Sequence, residues 1–363
     1  MSTVPFFRFL VLAVVPLSVT AQTAGRHPDL RYLQAPAVPT NTIALSAPPQ
    51  RAPFRLLAPV ARYGAEDDPA DLILGDILAV VPTPTGIAVL DDKYFRLRLF
   101  DADLRPRQRL GRSGQGPGEF SRRLLSMARD SAGNLYVADL QGVKVFEPGA
   151  EGYRYVRMLK REIGSRALCI LGASLVVNRS SVGGTELLEV YDLEGRHLRS
   201  FGTMYQSPNP ALNTQYNDGL LVCDPRSGLI LFAAESGFGE VRAYRVDGTP
   251  VWRTTIAGFL SNVVKDQEDG YSVERSAAGV HSVFSLTLLP RHGLLVQVAH
   301  RTPAVLEEGG WYSTLTSFLL DVESGRPTPL GTSLPGIRAA DGSRVVVVGE
   351  DPAPNLAVQP IAP

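Results

Sequence analysis

Six segments of the chain repeat one plan: an apolar stretch, a tight turn built on Gly, Asp or Ser, and a second apolar stretch ending in a polar residue. The first five are each followed by a second hairpin, and no amphipathic run of helical period longer than about two turns interrupts them. These observations predict an all-β chain, a six-bladed β-propeller of four-stranded blades whose ring is closed by an N-terminal strand.

Taken in order, the N-terminus carries Arg8, then an apolar run from Phe9 to Val19, then the small residues Thr20 and Ala21. That layout reads as a secretory signal peptide, residues 1–21, cut after Ala21. The run is about half of the ~20 residues that a spanning helix needs, so no membrane span is expected. Residues 22–53 hold six prolines, from Pro28 to Pro53, and show periodicity only in a short run from Thr42 to Leu45. They read as a tether or as an extended strap on the surface. Residues 54–363 are then the propeller.

The six first hairpins begin at Ile77, Leu124, Leu168, Leu220, Val283 and Ile337. Their turn residues Gly86, Gly133, Ser174, Gly228, Gly293 and Gly342 lie 47, 41, 54, 65 and 49 positions apart, the spacing of four-stranded blades. In most of the second hairpins an Asp-Gly, Glu-Gly or Ser-Gly type of turn joins alternating strands. The sixth unit ends after NLAVQPIAP, one strand short, while PFRLLAPVARYG (Pro53–Gly64) stands ahead of the first complete unit as a strand without a blade. Pairing the two closes the ring and removes an exposed sheet edge.

The stretch Gly111-Arg112-Ser113-Gly114-Gln115-Gly116-Pro117-Gly118-Glu119-Phe120, followed by Asp130-Ser131-Ala132-Gly133-Asn134-Leu135-Tyr136-Val137-Ala138-Asp139 and Val143-Lys144-Val145-Phe146, resembles the consensus of NHL-type repeats. It also resembles exported bacterial six-bladed propellers that carry a G-x-G-x-G-P-G-E-F signature. The resemblance implies a six-bladed fold and export, and no settled activity. The full motif covers one blade junction; Gly202-Thr203-Met204 and Gly331-Thr332-Ser333 keep only its leading glycine. A phosphate-cradling loop would continue into Lys-Ser or Lys-Thr and a helix, whereas Glu119, Phe120 and a strand follow here. The glycines are therefore expected to supply positive φ at the crossover, with Phe120 plugging between blades and Glu119 accepting backbone N–H groups or facing a ligand.

Charge and residue counts narrow the function. The 36 basic and 36 acidic side chains give a formal net charge of +0, which removes the electrostatic footprint of a nucleic-acid or membrane-surface binder. His27, His197, His281, His292 and His300 form no paired metal spacing, no G-x-S-x-G elbow occurs, and no metal, cofactor or catalytic residue is assigned. Cys169 and Cys223 occupy equivalent positions on the innermost strands of adjacent blades. Such positions are expected to exceed the ~7 Å Cα separation a bridge tolerates, so free thiols are expected.

Loop lengths single out one face. The turns within each hairpin are short, whereas the crossovers and the turns between hairpins hold 111–121, 179–186, 202–217, 258–282, 300–313 and 349–355. Long loops on a rigid scaffold are where binding residues gather. They bring Arg112, Glu119, Arg179, Tyr205, Asn209, Tyr271, Glu274, Arg275, His300, Arg301, Trp311, Tyr312 and Asp351 to one side, with His300–Tyr312 as the principal expected contact. The expected function is an exported, monomeric, non-catalytic module presenting this face to a small molecule, glycan or protein. The alternative is a propeller lactonase or lyase with a metal at the central channel, for which the inner strands supply few carboxylates.

Overall fold

A computed structural model describes residues 37–64, 73–121, 123–159, 166–178, 186–205, 210–267, 270–274, 276–308, 310, 312–350 and 353–363. Residues 1–21, read as a signal peptide, lie outside them. The chain forms six antiparallel four-stranded units in sequence order. Blade one is Ile77–Thr83, Gly86–Asp91, Arg96–Asp101 and Pro106–Leu110, and blade two runs from Leu124–Arg129 to Gly152–Leu159. Blade three spans Ala167–Leu171 to His197–Thr203, blade four Gly219–Asp224 to Pro250–Ala257, and blade five Val280–Leu289 to Pro327–Gly331. Blade six holds Gly336–Asp341, Arg344–Gly349 and Asn355–Ala362. Each innermost strand stands beside that of the next blade, and Gly336–Asp341 returns to Ile77–Thr83, so the ring is closed.

Position within the blade explains the apolar pattern. Second strands such as Leu135–Asp139 and Leu229–Ala234 are buried along their whole length, because adjacent blades cover both of their faces. Outermost strands such as Pro106–Leu110 are largely exposed and carry the charges. The core is accordingly divided into clusters between neighbouring blades, for example Phe201, Phe232 and Tyr244 between blades three and four.

Polar latches tie the blades at equivalent positions. Asp91 and Asp139 each end a second strand and accept a backbone N–H from the crossover ahead of their own blade, from Gly75 at 3.1 Å and Ser121 at 2.8 Å. Each also pairs with a cation three places into the following strand: Arg98 at 3.1 Å and Lys144 at 2.5 Å. Between blades, Asn178 accepts the Gly219 N–H at 3.1 Å, and Gln297 accepts the Ile337 N–H at 2.7 Å while donating to the Pro335 carbonyl at 2.8 Å. Each bond satisfies a buried group that would otherwise cost ~1–3 kcal/mol.

The N-terminal segment closes the ring and braces it. Arg55–Leu56 and Ala61–Tyr63 both pair antiparallel with Asn355–Ala362, supplying the outer edge of blade six. Ahead of them, Thr40–Ala44 adds a fifth strand to blade four, parallel to Pro250–Ala257, with Ile43 buried. Asn41 then donates to the Ser324 carbonyl at 2.9 Å and the Gln50 N–H to the Pro329 carbonyl at 2.7 Å, both in blade five. Residues 40–56 thus run as a strap over the outside of blades four, five and six.

The cysteines correct an expectation. Cys169 and Cys223 form a disulfide with a Cα–Cα distance of 5.6 Å. Blades fan outward from an axis, so equivalent positions are closest on the innermost strands, which is where both cysteines sit. The bridge joins blades three and four at the channel wall.

Candidate binding site at the long-loop mouth of the channel

The inner strands enclose a central channel of about 1340 Å³. Ala79, Val81, Ile170, Val222, Leu286 and Leu288 are among the aliphatic residues that line it. Its two mouths differ. At the short-turn face Asp224 accepts from the Ser227 hydroxyl at 2.7 Å and from the Arg226 and Ser227 N–H groups. Nearby turns on that face behave likewise: backbone donors at Arg105, Arg196 and Thr249 hold the Asp101, Asp192 and Asp247 carboxyls below their ordinary range. These carboxylates are committed to shaping their own turns.

The long-loop mouth is built from residues at the starts of the inner strands and the ends of the second strands. Asp76, Arg123, Arg166 and Asp218 each immediately precede an inner strand, while Asp92, Glu235 and Arg301 end or follow second strands, and all of these but Asp218 line the channel. Arg166 Nε lies 2.8 Å from Asp218 Oδ2, and its Nη2 lies 3.8 Å from Glu235 Oε2. Across the mouth, Arg301 Nη2 donates to Ser282 Oγ at 3.3 Å, and Arg338 lays its guanidinium 3.9 Å from the Phe284 ring centre. The Nε atoms of Arg301 and Arg338 are buried and have no hydrogen-bond partner among the described residues. Burial pulls the Arg338 side chain down to about 10, against the opposing influence of Glu235 and then Tyr312. Tyr312 packs edge-on against Phe284 at 5.3 Å, and burial and then Glu350 raise its hydroxyl.

Several residues singled out from the sequence have other duties. Glu119 is held inside its own loop, accepting the Gly116 N–H at 2.8 Å and pairing with Arg112 at 2.6 Å; the backbone donor first, and then Arg112, lower its carboxyl. Gly111 at φ 78° lies under the Phe120 ring, where a Cβ would collide, and Gly118 at φ 73° packs on Tyr155. Tyr205 is not on the face at all. It is buried between blades three and four, stacked on Tyr216 at 4.4 Å, with its backbone bonded on both sides to the Asn217 amide. His300 bonds the Ala278 carbonyl at 2.7 Å and lies 4.7 Å from the His281 ring.

Of the sequence candidates, Arg301 lines the mouth and Tyr312 packs beside it on Phe284. Arg179, Asn209, Arg275, Trp311 and Asp351 lie outside the described residues; Tyr271 and Glu274 fall in the strand Gly270–Glu274. The insertion after blade five's second strand contains a short helix, Pro303–Glu308. Arg166, Glu235 and Arg338 were not anticipated. The first had a legible signal, a charged residue just ahead of four of the inner strands; Arg338 lies inside a strand and has none.

No family model matches the chain, and no curated protein matches it. Among solved structures, the chain is similar to a "Putative exported protein" of Bacteroides fragilis, with a TM-score of 0.56 and 11% identity over 90% of this chain and 99% of that one. A member of the duf4221 family from Bacteroides vulgatus gives a TM-score of 0.57 at 7% identity, over 85% of this chain and 98% of that one. These likenesses concern the fold.

Proposed function

We propose that this chain is an exported, monomeric, non-catalytic propeller that presents its long-loop face, centred on the channel mouth, to a ligand or partner. Divergent NHL-like repeats form its blades. The observation that carries this reading is the contrast between the mouths: carboxylates locked into turns on one side, and arginines with unsatisfied buried donors on the other. The structural neighbour named as exported supports the compartment, as does the disulfide, which persists in oxidising surroundings.

The lactonase-like alternative requires several carboxylates, amides or histidines converging on a metal. Among the described residues, no group of three or more His, Cys, Asp or Glu side chains does so. Stoichiometric metal in purified protein, removed by a chelator, would revive it.

A thermal-shift screen against glycans, peptides and small organic ions tests the face. Hits should be lost in Arg301→Ala and Arg338→Ala and kept in Arg226→Ala at the opposite mouth. Hits sensitive only to Arg226→Ala would move the function to the short-turn face.

A further inference from the structure

Arg301 and Arg338 both reach the innermost strand of blade five. The first bonds Ser282 and the second stacks on Phe284, two residues further along, where the strand's pairing is irregular between Val283 and Ser285. A guanidinium is planar and presents its donors in a fixed fork that matches a carboxylate. Here two such groups each keep a buried Nε–H with no acceptor among the described residues. Phe284 and Tyr312 flank them, and immediately inward the wall becomes aliphatic through Leu286, Leu288, Ala340 and Val81. Of the carboxylates at this end, Asp218 and Glu235 lie 2.8 and 3.8 Å from Arg166, Asp92 accepts the Leu124 N–H at 2.7 Å, and Glu235 also acts on Arg338.

We propose that the long-loop mouth binds an amphipathic organic acid, its carboxylate held by Arg301 and Arg338 and its apolar body running into the aliphatic channel. This rests on the long-loop face being the binding face and adds the ligand class. A neutral molecule would forgo a charge-assisted hydrogen bond to the guanidinium Nη groups. A small inorganic anion would take that bond and leave the apolar channel unused. The amphipathic acid answers both features at once, because burying each methylene contributes roughly a three- to fourfold gain in affinity.

Calorimetric titration of the full chain with hexanoate, octanoate and decanoate tests this, with octanol, octylamine, acetate and inorganic phosphate as comparisons. Affinity should rise roughly threefold per methylene along the acid series and exceed that for octanol and octylamine at least tenfold. Arg301→Gln and Arg338→Gln should each weaken octanoate at least tenfold while the melting temperature stays within a few degrees; Arg226→Gln should change nothing. Equal binding of octanol and octanoate, or of phosphate and octanoate, overturns the proposal. So does an absence of octanoate binding in protein whose melting curve shows it folded. Should the acids fail while other hits still depend on Arg301 and Arg338, the face stands and the ligand class falls; should no hit depend on them, both fall.

Discussion

Lys144 is among the largest fully buried side chains, yet it is a cation. It donates to Asp139 at 2.5 Å and to Gln141 Oε1 at 3.2 Å, with its charge 5.9 Å from the Phe120 ring centre. Asp139 also accepts the Ser121 and Gln141 N–H groups, both at 2.8 Å, so the pair holds a crossover in place as well as neutralising itself. Breaking such a pair from one side leaves a buried charge alone, at a cost of ~3–5 kcal/mol. Lys144→Met should therefore destabilise the protein by about 3 kcal/mol in urea unfolding. Arg105→Met, which removes an exposed partner 3.8 Å from Asp103, should change stability by under about 0.5 kcal/mol. Asp139→Asn added to Lys144→Met should recover part of the loss; a further loss of similar size would mean that the carboxylate's backbone bonds, rather than its charge, carry the stability.

At the level of elements, a propeller places its innermost strands side by side without a hydrogen-bonded ladder between blades, so each junction depends on packing and on single latches. Blades two and three share the Leu168 N–H to Ser126 Oγ bond at 2.9 Å, and blades four and five share the Trp252 indole N–H to Val322 carbonyl bond at 2.8 Å. Between blades three and four the Cys169–Cys223 bridge adds a covalent link across 54 positions of chain. Loop-closure entropy for that span gives about 4 kcal/mol, and native bridges commonly contribute ~2–5 kcal/mol. Replacing both cysteines by Ser should cost about 2–4 kcal/mol and remove the dependence of the melting temperature on reductant. Peptide mapping of unreduced, alkylated protein should recover the linked pair; two alkylated cysteines would show the bridge absent.

For the whole molecule, stability depends on closing the ring. Ala61–Tyr63 covers the edge of blade six, and Tyr63 packs 4.7 Å from Phe100 of blade one, so this short strand also seals the junction where the chain's two ends meet. The strap over blades four and five covers a second edge. A chain lacking residues 22–50 should stay soluble with a melting temperature lower by several degrees, because Ile43 and one edge of blade four lose their partners. A chain lacking residues 22–64 should be recovered insoluble or unfolded. Equal melting temperatures for the two truncations would show that closure does not depend on this segment.

Hairpin spacing and turn chemistry determine the blades by themselves, because alternation, Gly and Asp turns and buried second strands are local properties that no distant contact has to supply. The lone strand at Pro53–Gly64 is legible for the same reason: a missing partner at one end of the repeat matches a surplus at the other. Closure brings together what the sequence separates. Cys169 and Cys223 bond because the ring's centre shortens a distance that repeat arithmetic cannot measure. Tyr205, a loop aromatic by its neighbours in sequence, is drawn into the core by Tyr216 and Asn217. The arginines of the mouth come from four different blades, and only the curvature of the ring, set by how side chains pack between blades, brings Arg301 to Ser282 and Arg338 to Phe284 on one strand.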